Sequence, residues 1–479
     1  MKAQRVTFPV SSVALLLLAC HGGPGGSGKS DAGGGSGDDG GGAGATGWGG
    51  GTMISDARSF LDYELFADAV DVNDSGVAVA LWGENITASR MHRLWGNVYR
   101  AGAWSPPTVL GDPGSGDGSV SVMPNGDAMV VYVQSQHVQA RRYLAASDSW
   151  ASSAPISADS PAGTFPISPG VATDGLGNAI AVWSQGNQVW ARRYDASAGW
   201  SATVVQLSAS PRAVFDPKIV VDGNHRFTAV WVEDTAPFDP SLPGGGPNHP
   251  TAHARRYVAD WEPDRRIGWA DNDLPGQFDS AGRTWIDANS AGSVFVVWEQ
   301  SRTQLDNSIQ RSIDAARFDP GAGTWSPPQT LASHNANLSF PQVAVDSSGR
   351  ALAGWIRDET NGPGTHLVTM RGSWFNIASG TWGTAELLDQ TGASEVSDAA
   401  LAIDGAGNAE LAWDESGKGT VEHRFSAGAW GAWNRLPPGA DNLRIDMSDN
   451  GHAVLIGDRL DIGPIPFTRE VWAWVYTPR

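Results

Sequence analysis

A thirteen-residue pattern recurs along this chain, and seven of its eight copies end in an aromatic residue. Its clearest copies run Val171–Trp183 (VATDGLGNAIAVW), Val343–Trp355 (VAVDSSGRALAGW) and Leu401–Trp413 (LAIDGAGNAELAW). Aligned on the glycine six residues before the aromatic, the copies stand at Gly76, Gly126, Gly177, His225, Gly292, Gly349, Gly407 and Gly451. The aromatics are Trp82, Tyr132, Trp183, Trp231, Trp298, Trp355 and Trp413, and the eighth copy has Gly457. Three residues before the glycine sit Asn73, Met123, Asp174, Asp222, Asn289, Asp346, Asp404 and Ser448. Two apolar-alternating runs around a short Asp-x-x-Gly turn predict a β-hairpin. The Asp or Asn side chain accepts from backbone N–H groups, and Gly supplies the positive φ. His225 replaces the glycine once, and His enters the left-handed region at some strain.

A second piece follows each hairpin, as in Ala191–Ser201 (ARRYDASAGWS). Its aromatic recurs as Tyr99, Tyr143, Tyr194, Tyr257, Phe318, Phe375, Phe425 and Tyr476. A tryptophan comes shortly after in Trp104, Trp150, Trp200, Trp261, Trp325, Trp382 and Trp430. This predicts a third strand, a turn and a fourth strand, with the large rings filling space between repeats. Strand-only repeats at a period of about 40–65 residues indicate an all-β, eight-bladed β-propeller. Seven blades is the alternative if one divergent repeat does not close. Length alone suggests about three domains, and the repeat overrides it in favour of one ring over residues 54–479. The last repeat stops soon after Tyr476, without an outer strand. The segment Ser59–Leu65 precedes the first hairpin, and the expectation is that it completes the last blade and closes the ring.

The repeat resembles the Asp-box repeats of sialidase-like propellers. In those repeats one residue separates Asp from Gly, whereas two do here. The resemblance is one of blade architecture and carries over no catalytic residues.

The N-terminus predicts export. Met1–Arg5 is basic, and the apolar run Val10–Ala19 is too short to span a bilayer. Leu17-Leu18-Ala19-Cys20 resembles the bacterial lipobox, which implies cleavage after residue 19 and lipidation of Cys20. Cys20 is the single cysteine, so disulfides and thiolate metal sites are excluded from the body. Residues 20–53 read as a Gly-rich, disordered tether, a leash of about 30 Å. The expected location is the outer membrane or cell surface, with a periplasmic-facing orientation also open. The expected partners are the membrane, through the lipid, and a polysaccharide or an envelope protein. The formal net charge of −19 argues against nucleic acid, which needs a basic footprint.

Strand order places the loops between second and third strands on the face opposite the Asp-x-x-Gly turns. The longest are Val232–His253, Glu299–Ile313, Ile356–His366 and Asp458–Glu470. Function concentrates where loops vary on a rigid scaffold, so the candidate binding face carries Glu84, Asp234, Asp239, Glu299, Asp358, Asp414 and Glu415. Two of these carboxylates at the right separation could do glycoside chemistry. The chain has no nucleophile elbow, zinc-helix motif, P-loop or dinucleotide fingerprint. His249 with His253, and Asp271 with Asp273 and Asp279, complete no ligand set. No cofactor, metal or catalytic residue is therefore assigned. A polar residue also recurs two positions past the aromatic: Glu84, Gln134, Gln185, Glu233, Gln300, Arg357, Glu415 and Arg459. It reads as a collar at the channel mouth or, preferably, as a cross-strand partner of Arg142, Arg193, Arg256, Arg317 and Arg424. The functional expectation is a glycan- or protein-binding module. A sialidase-like carbohydrate-active enzyme and a structural scaffold are the alternatives.

Overall fold

Each Asp-x-x-Gly element folds as the predicted hairpin turn. Asp174 Oδ1 accepts from the backbone N–H groups of Leu176 (2.9 Å) and Asn178 (2.8 Å), and Asp346 and Asp404 do the same two and four residues on. Gly177 takes φ +86° and His225 φ +61°, the left-handed region that glycine enters without strain. The computed structural model describes residues 47–478 apart from short internal segments, the longest being 235–249 and 270–278. Cys20, residues 1–46, Asp239 and His249 lie outside the described residues.

The strands form eight antiparallel sheets, each running first, second, third, fourth strand from inside outward. The first strands are Tyr63–Val72, Ser115–Val122, Ile167–Thr173, Val214–Val221, Asp279–Ala288, Asn337–Val345, Val396–Ile403 and Asp441–Met447. Each lies beside the first strands of both neighbouring blades, and the eighth lies beside the first. This is a closed, eight-bladed propeller with the first strands around a central channel. Fourth strands are short and often broken. Ala103–Trp104 and Thr108–Gly111 both pair with the same third strand, interrupted at Pro106 and Pro107, which offer no N–H to the ladder.

The N-terminal segment closes the ring, but of the expected residues only Ser59 takes part among those described. Thr52–Met53 and Arg58–Ser59 pair with the last strand, Thr468–Tyr476, and Trp48 bridges to Tyr476. Of the Ser59–Leu65 segment, Tyr63–Leu65 belongs instead to the inner strand of blade 1, with Tyr63 opposite Ile86. The run does have a hairpin partner, because the second strand of blade 1 extends to Ile86. The ring also begins before residue 54: the Trp48 indole donates to Glu410 at 2.8 Å.

The repeated aromatics form the core between blades. Trp82, Tyr132, Trp183, Trp231, Trp298, Trp355 and Trp413 are at most 1% exposed. Trp183 packs on Met129 and Val131 of blade 2, and Trp298 on Val230 and Val232 of blade 4. The later pair meets across the third and fourth strands, with Tyr194 and Trp200 centroids 5.4 Å apart and Phe318 and Trp325 5.6 Å apart. Trp183→Ala should cost about 3–5 kcal/mol, read as a shifted midpoint in urea unfolding.

Inner strands are held to one another by side chains rather than by a ladder. Asp71 accepts from Val122 N of the next blade at 2.6 Å, and Asp446 from Val72 N at 2.8 Å across the closure. Asp287 accepts from Val345 N (2.8 Å), Asp216 from Thr284 N (2.6 Å) and Asp398 from Leu443 N (2.6 Å). Every inner strand carries a bulge or register shift before its turn, as between Ala67 and Ala69 or Phe215 and Lys218. Asp216, Phe340 and Asn442 take positive φ in these bulged stretches. A bulge re-aims a side chain, here toward the neighbouring blade.

These carboxyl groups keep an edge on the channel but are crowded by backbone on both sides. Burial pushes Asp68 and Asp287 up to about 7, and Asp458 to about 6. Asp71 and Asp446 are in hydrogen-bond contact, and burial raises both, Asp71 well above its usual value. A raised folded pKa means the ring binds these protons more tightly than the unfolded chain does. The stability they confer is complete below about pH 4 and is lost as pH rises through about 6 to 7. The Tm should therefore fall between pH 5 and pH 8 at fixed ionic strength. Asp287→Asn, which keeps an acceptor for Val345, should flatten that slope.

Candidate functional site

The upper ends of the inner strands and the hairpins beside them form the channel mouth, on the face opposite the Asp-x-x-Gly turns. The expected long loops there are partly extended hairpins. Glu299 lies opposite Ile313 and Thr303 opposite Ile309, while Arg459 lies opposite Glu470 and Asp461 opposite Thr468. Of Val232–His253, the ends are strand (Phe227–Asp234 and Pro250–Tyr257).

The candidate carboxylates sit mostly at the ends of second strands and not in solvated loops. Glu84 is fully buried, with Arg93 at 3.2 Å and Arg58 at 3.3 Å. Glu415 is buried against Arg435 at 2.9 Å. Both neutralise a charge within the blade, and neither is presented to a ligand. Asp234 is buried at its strand end. Asp358 is half-buried, with one carboxyl oxygen lacking a hydrogen-bond partner among the described residues. Glu299 is half-buried at the mouth and accepts from Phe340 N at 3.0 Å, and burial raises its pKa. Asp414 accepts from Ser397 Oγ at 2.7 Å and touches Asp441. Burial, with Asp441 and Asp398 nearby, pushes Asp414 up to about 6.

The recurrent polar position is neither a collar nor a partner of the third-strand arginines. In blades 3, 4 and 5 it accepts the indole N–H of its own blade, whereas Glu84 and Glu415 are taken by arginines and the Trp82 indole donates to Asn97. Trp183 donates to Gln185 at 3.1 Å, Trp231 to Glu233 at 2.7 Å and Trp298 to Gln300 at 3.2 Å. Where the position is Arg357, which cannot accept, the Trp355 indole nitrogen has no hydrogen-bond partner among the described residues. The third-strand arginines lie at the other end of the blade, because antiparallel register sets Arg142 opposite Met129 and not Gln134. They pair there with Asp127, Asp222 or Glu410, and they stack on the next blade. Arg256 lies over Phe318 at 3.8 Å and Arg424 over Tyr476 at 4.2 Å.

Around the mouth, exposed aromatics and carboxyl groups are unevenly spread, with Asp216 and Glu299 the carboxyls on the aromatic side. Blades 4 to 6 carry exposed aromatics beside cations. Trp285 is 37% exposed with Lys218 Nζ 5.7 Å from its centroid, and Phe340 is 40% exposed with Arg283 Cζ at 4.6 Å. Blades 7, 8 and 1 carry a cluster of carboxyl groups, Asp398, Asp414, Asp441, Asp458 and Asp68, with Arg444 3.8 Å from Asp398. Sequence reasoning missed Trp285 and Phe340. The available signal was that neither belongs to a recurrent aromatic series, so neither is needed for blade packing.

Among the described residues, Glu233, His253 and Asp264 could hold a metal, each placing one ligand atom within 4.8 Å of the others. The pairing of His253 with His249 considered from sequence is not the one the fold makes. His253 Nδ1 lies 2.9 Å from Asp264 and its ring stacks on Trp231, while Glu233 takes the Trp231 indole and Ala209 N. These bonds account for the convergence as a polar wedge between blades 3 and 4.

In chemical terms, the mouth offers flat apolar rings, fixed cations and carboxyls whose pKa burial raises, around one opening. No known protein family matches the sequence, and no curated protein matches it. Among solved structures, the chain is similar to a polysaccharide lyase, at 9% identity over 89% of this chain and 100% of that one, TM-score 0.48. It is also similar to a protein of unknown function from Dyadobacter fermentans, at 11% identity over 90% and 98%, TM-score 0.44. A third likeness is to a Hadza microbial sialidase, at 13% identity over 88% and 91%, TM-score 0.37.

Proposed function

We propose that this protein is a lipid-anchored, exported propeller that binds glycan chains across its channel mouth. The observation that carries the reading is the pair of exposed rings, Trp285 and Phe340, on inner strands of adjacent blades, each beside a cation. Large aromatics left exposed where the fold does not use them mark an interaction site. An amphipathic ring with polar groups beside it suits a sugar face, which has apolar C–H groups and a hydroxyl rim. In this reading Cys20 is lipidated, residues 1–19 are removed, and the Gly-rich segment holds the ring away from the outer membrane or cell surface.

The test uses the mature chain carrying Cys20→Ala, which removes the lipid. Affinity electrophoresis against extracellular and envelope polysaccharides should show retention, without new reducing ends. Trp285→Ala should weaken retention at least about tenfold, a loss of roughly 1.4 kcal/mol, at an unchanged Tm. Retention that survives both Trp285→Ala and Phe340→Ala would remove the mouth from consideration. Membrane fractionation tests the anchor separately: the Cys20→Ala chain should move from the membrane to the soluble fraction.

One observation favours an enzyme as the second reading. Asp414, at about 6, could donate a proton near neutral pH. Its contact with Asp441 is closer than the roughly 5 Å that a retaining glycosidase pair needs, which places this reading second. Products released by the mature chain and abolished by Asp414→Asn would reverse that order.

A further inference from the structure

Blade 2 departs from its neighbours at one cross-strand position. In blade 1, Trp82 stacks flat on Trp95, with centroids 5.2 Å apart and planes 3° off parallel. In blade 3, Trp183 lies opposite Trp190. In blade 2 the same pair is Tyr132 opposite Gln139. Two indoles are thus replaced by a phenol and an amide. Beside Gln139 an open pocket of about 470 Å³ lies between Val109–Asp112 of blade 1 and the third strand of blade 2. It lies on the same face as the channel mouth, beside the tight turn at Ser135 and Gln136.

The lining is polar and partly uncommitted. Arg141 is held rigidly: Nε donates to Ala151 O (2.8 Å) and Nη1 to Val109 O (2.8 Å) and Leu110 O (3.1 Å). These bonds leave Nη2 for a ligand. The Tyr132 hydroxyl donates to Leu110 O at 2.8 Å, which fixes the cavity floor. Asp112, Gln134 and Gln139 also line the cavity, and their side chains bond to nothing among the described residues. Arg141, Asp112, Gln134, Gln139 and His137, with the serines Ser152 and Ser153, line a single space.

We infer that this cavity between blades 1 and 2 is a binding site for a neutral sugar unit, separate from the channel mouth. Hydroxyl groups both donate and accept, which matches a lining that offers both. Asp112 would repel an anion and Arg141 a cation, so their charges select a neutral ligand. Unmet polar groups in a concave site favour a ligand that supplies hydrogen bonds over an apolar one. The inference stands on the cavity alone and does not require the mouth to bind glycan.

The test titrates the mature Cys20→Ala chain with D-galactose, D-glucose, D-mannose and L-fucose, followed by saturation-transfer NMR. D-glucuronate and inorganic phosphate serve as charged controls. At least one neutral sugar should bind saturably and outcompete both controls. Gln139→Trp restores the side chain that blades 1 and 3 carry, so it should fill the cavity and keep the fold. It should weaken binding at least tenfold, as should Asp112→Asn, both at unchanged Tm. Trp285→Ala should leave this binding intact, which separates it from polysaccharide retention at the mouth. No saturable neutral sugar, a preference for glucuronate or phosphate, or binding that survives Gln139→Trp would each overturn the inference.

Discussion

The ring depends on an acceptor side chain of one inner strand meeting a backbone N–H of the next. An inner strand pairs with its own blade on one edge and would leave the other edge bare toward the axis, where unpaired N–H groups are costly. Asp71, Asp216, Asp287, Asp398 and Asp446 reach across and accept those groups. Where the residue is neutral the same link recurs, with Ser121 taking Thr173 N and Gln342 taking Leu401 N. Asp216 and Asp398 sit at the register shifts of their strands, whereas Asp71, Asp287 and Asp446 reach across from regular ladder beyond them.

That arrangement concentrates carboxyl groups around a narrow axis. Desolvation and mutual repulsion both favour the protonated form: burial raises Asp71 and Asp446, and the Asp446 charge adds to the rise at Asp71. The acidic composition is thus not only a solubilising surface. Part of it is a structural hub whose strength follows pH. Burial likewise raises Asp414 and Asp458 to about 6, so a raised carboxyl there is not by itself a sign of catalysis.

Sites proposed for binding fall where a blade breaks the repeat. Trp285 and Phe340 are aromatics outside both recurrent series, and both remain exposed. Tyr132 replaces the recurrent indole, and Gln139, where blades 1 and 3 carry a tryptophan, lines a polar pocket. The recurrent residues are used up in packing: the indoles bury, and in blades 3, 4 and 5 the position two residues on accepts their N–H. Departures from a self-consistent repeat are where function is expected, and here they are legible only once the repeat itself has been aligned.

The sequence by itself determined the architecture. Hairpin turns, strand order, the number of blades and closure by the N-terminus follow from local periodicity and turn chemistry, which depend on residues close in the chain. Closure erred only in its residues, because Tyr63–Leu65 could pair with either end until the extent of the blade 1 hairpin was known. Tertiary structure alone decided the roles of the polar residues. Glu84 and Glu415 look like loop carboxylates but are buried ion pairs, since their partners Arg58, Arg93 and Arg435 are fixed by strand register and the return of the chain. The recurrent polar position looked like a partner of the third-strand arginines, and antiparallel register set the two at opposite ends of the blade. Exposure of Trp285, the stitches between inner strands and the cavity at Gln139 all arise between blades about 50 residues or more apart in sequence. Pattern shows which residues can form a strand, and only the closed ring shows which of their side chains remain free.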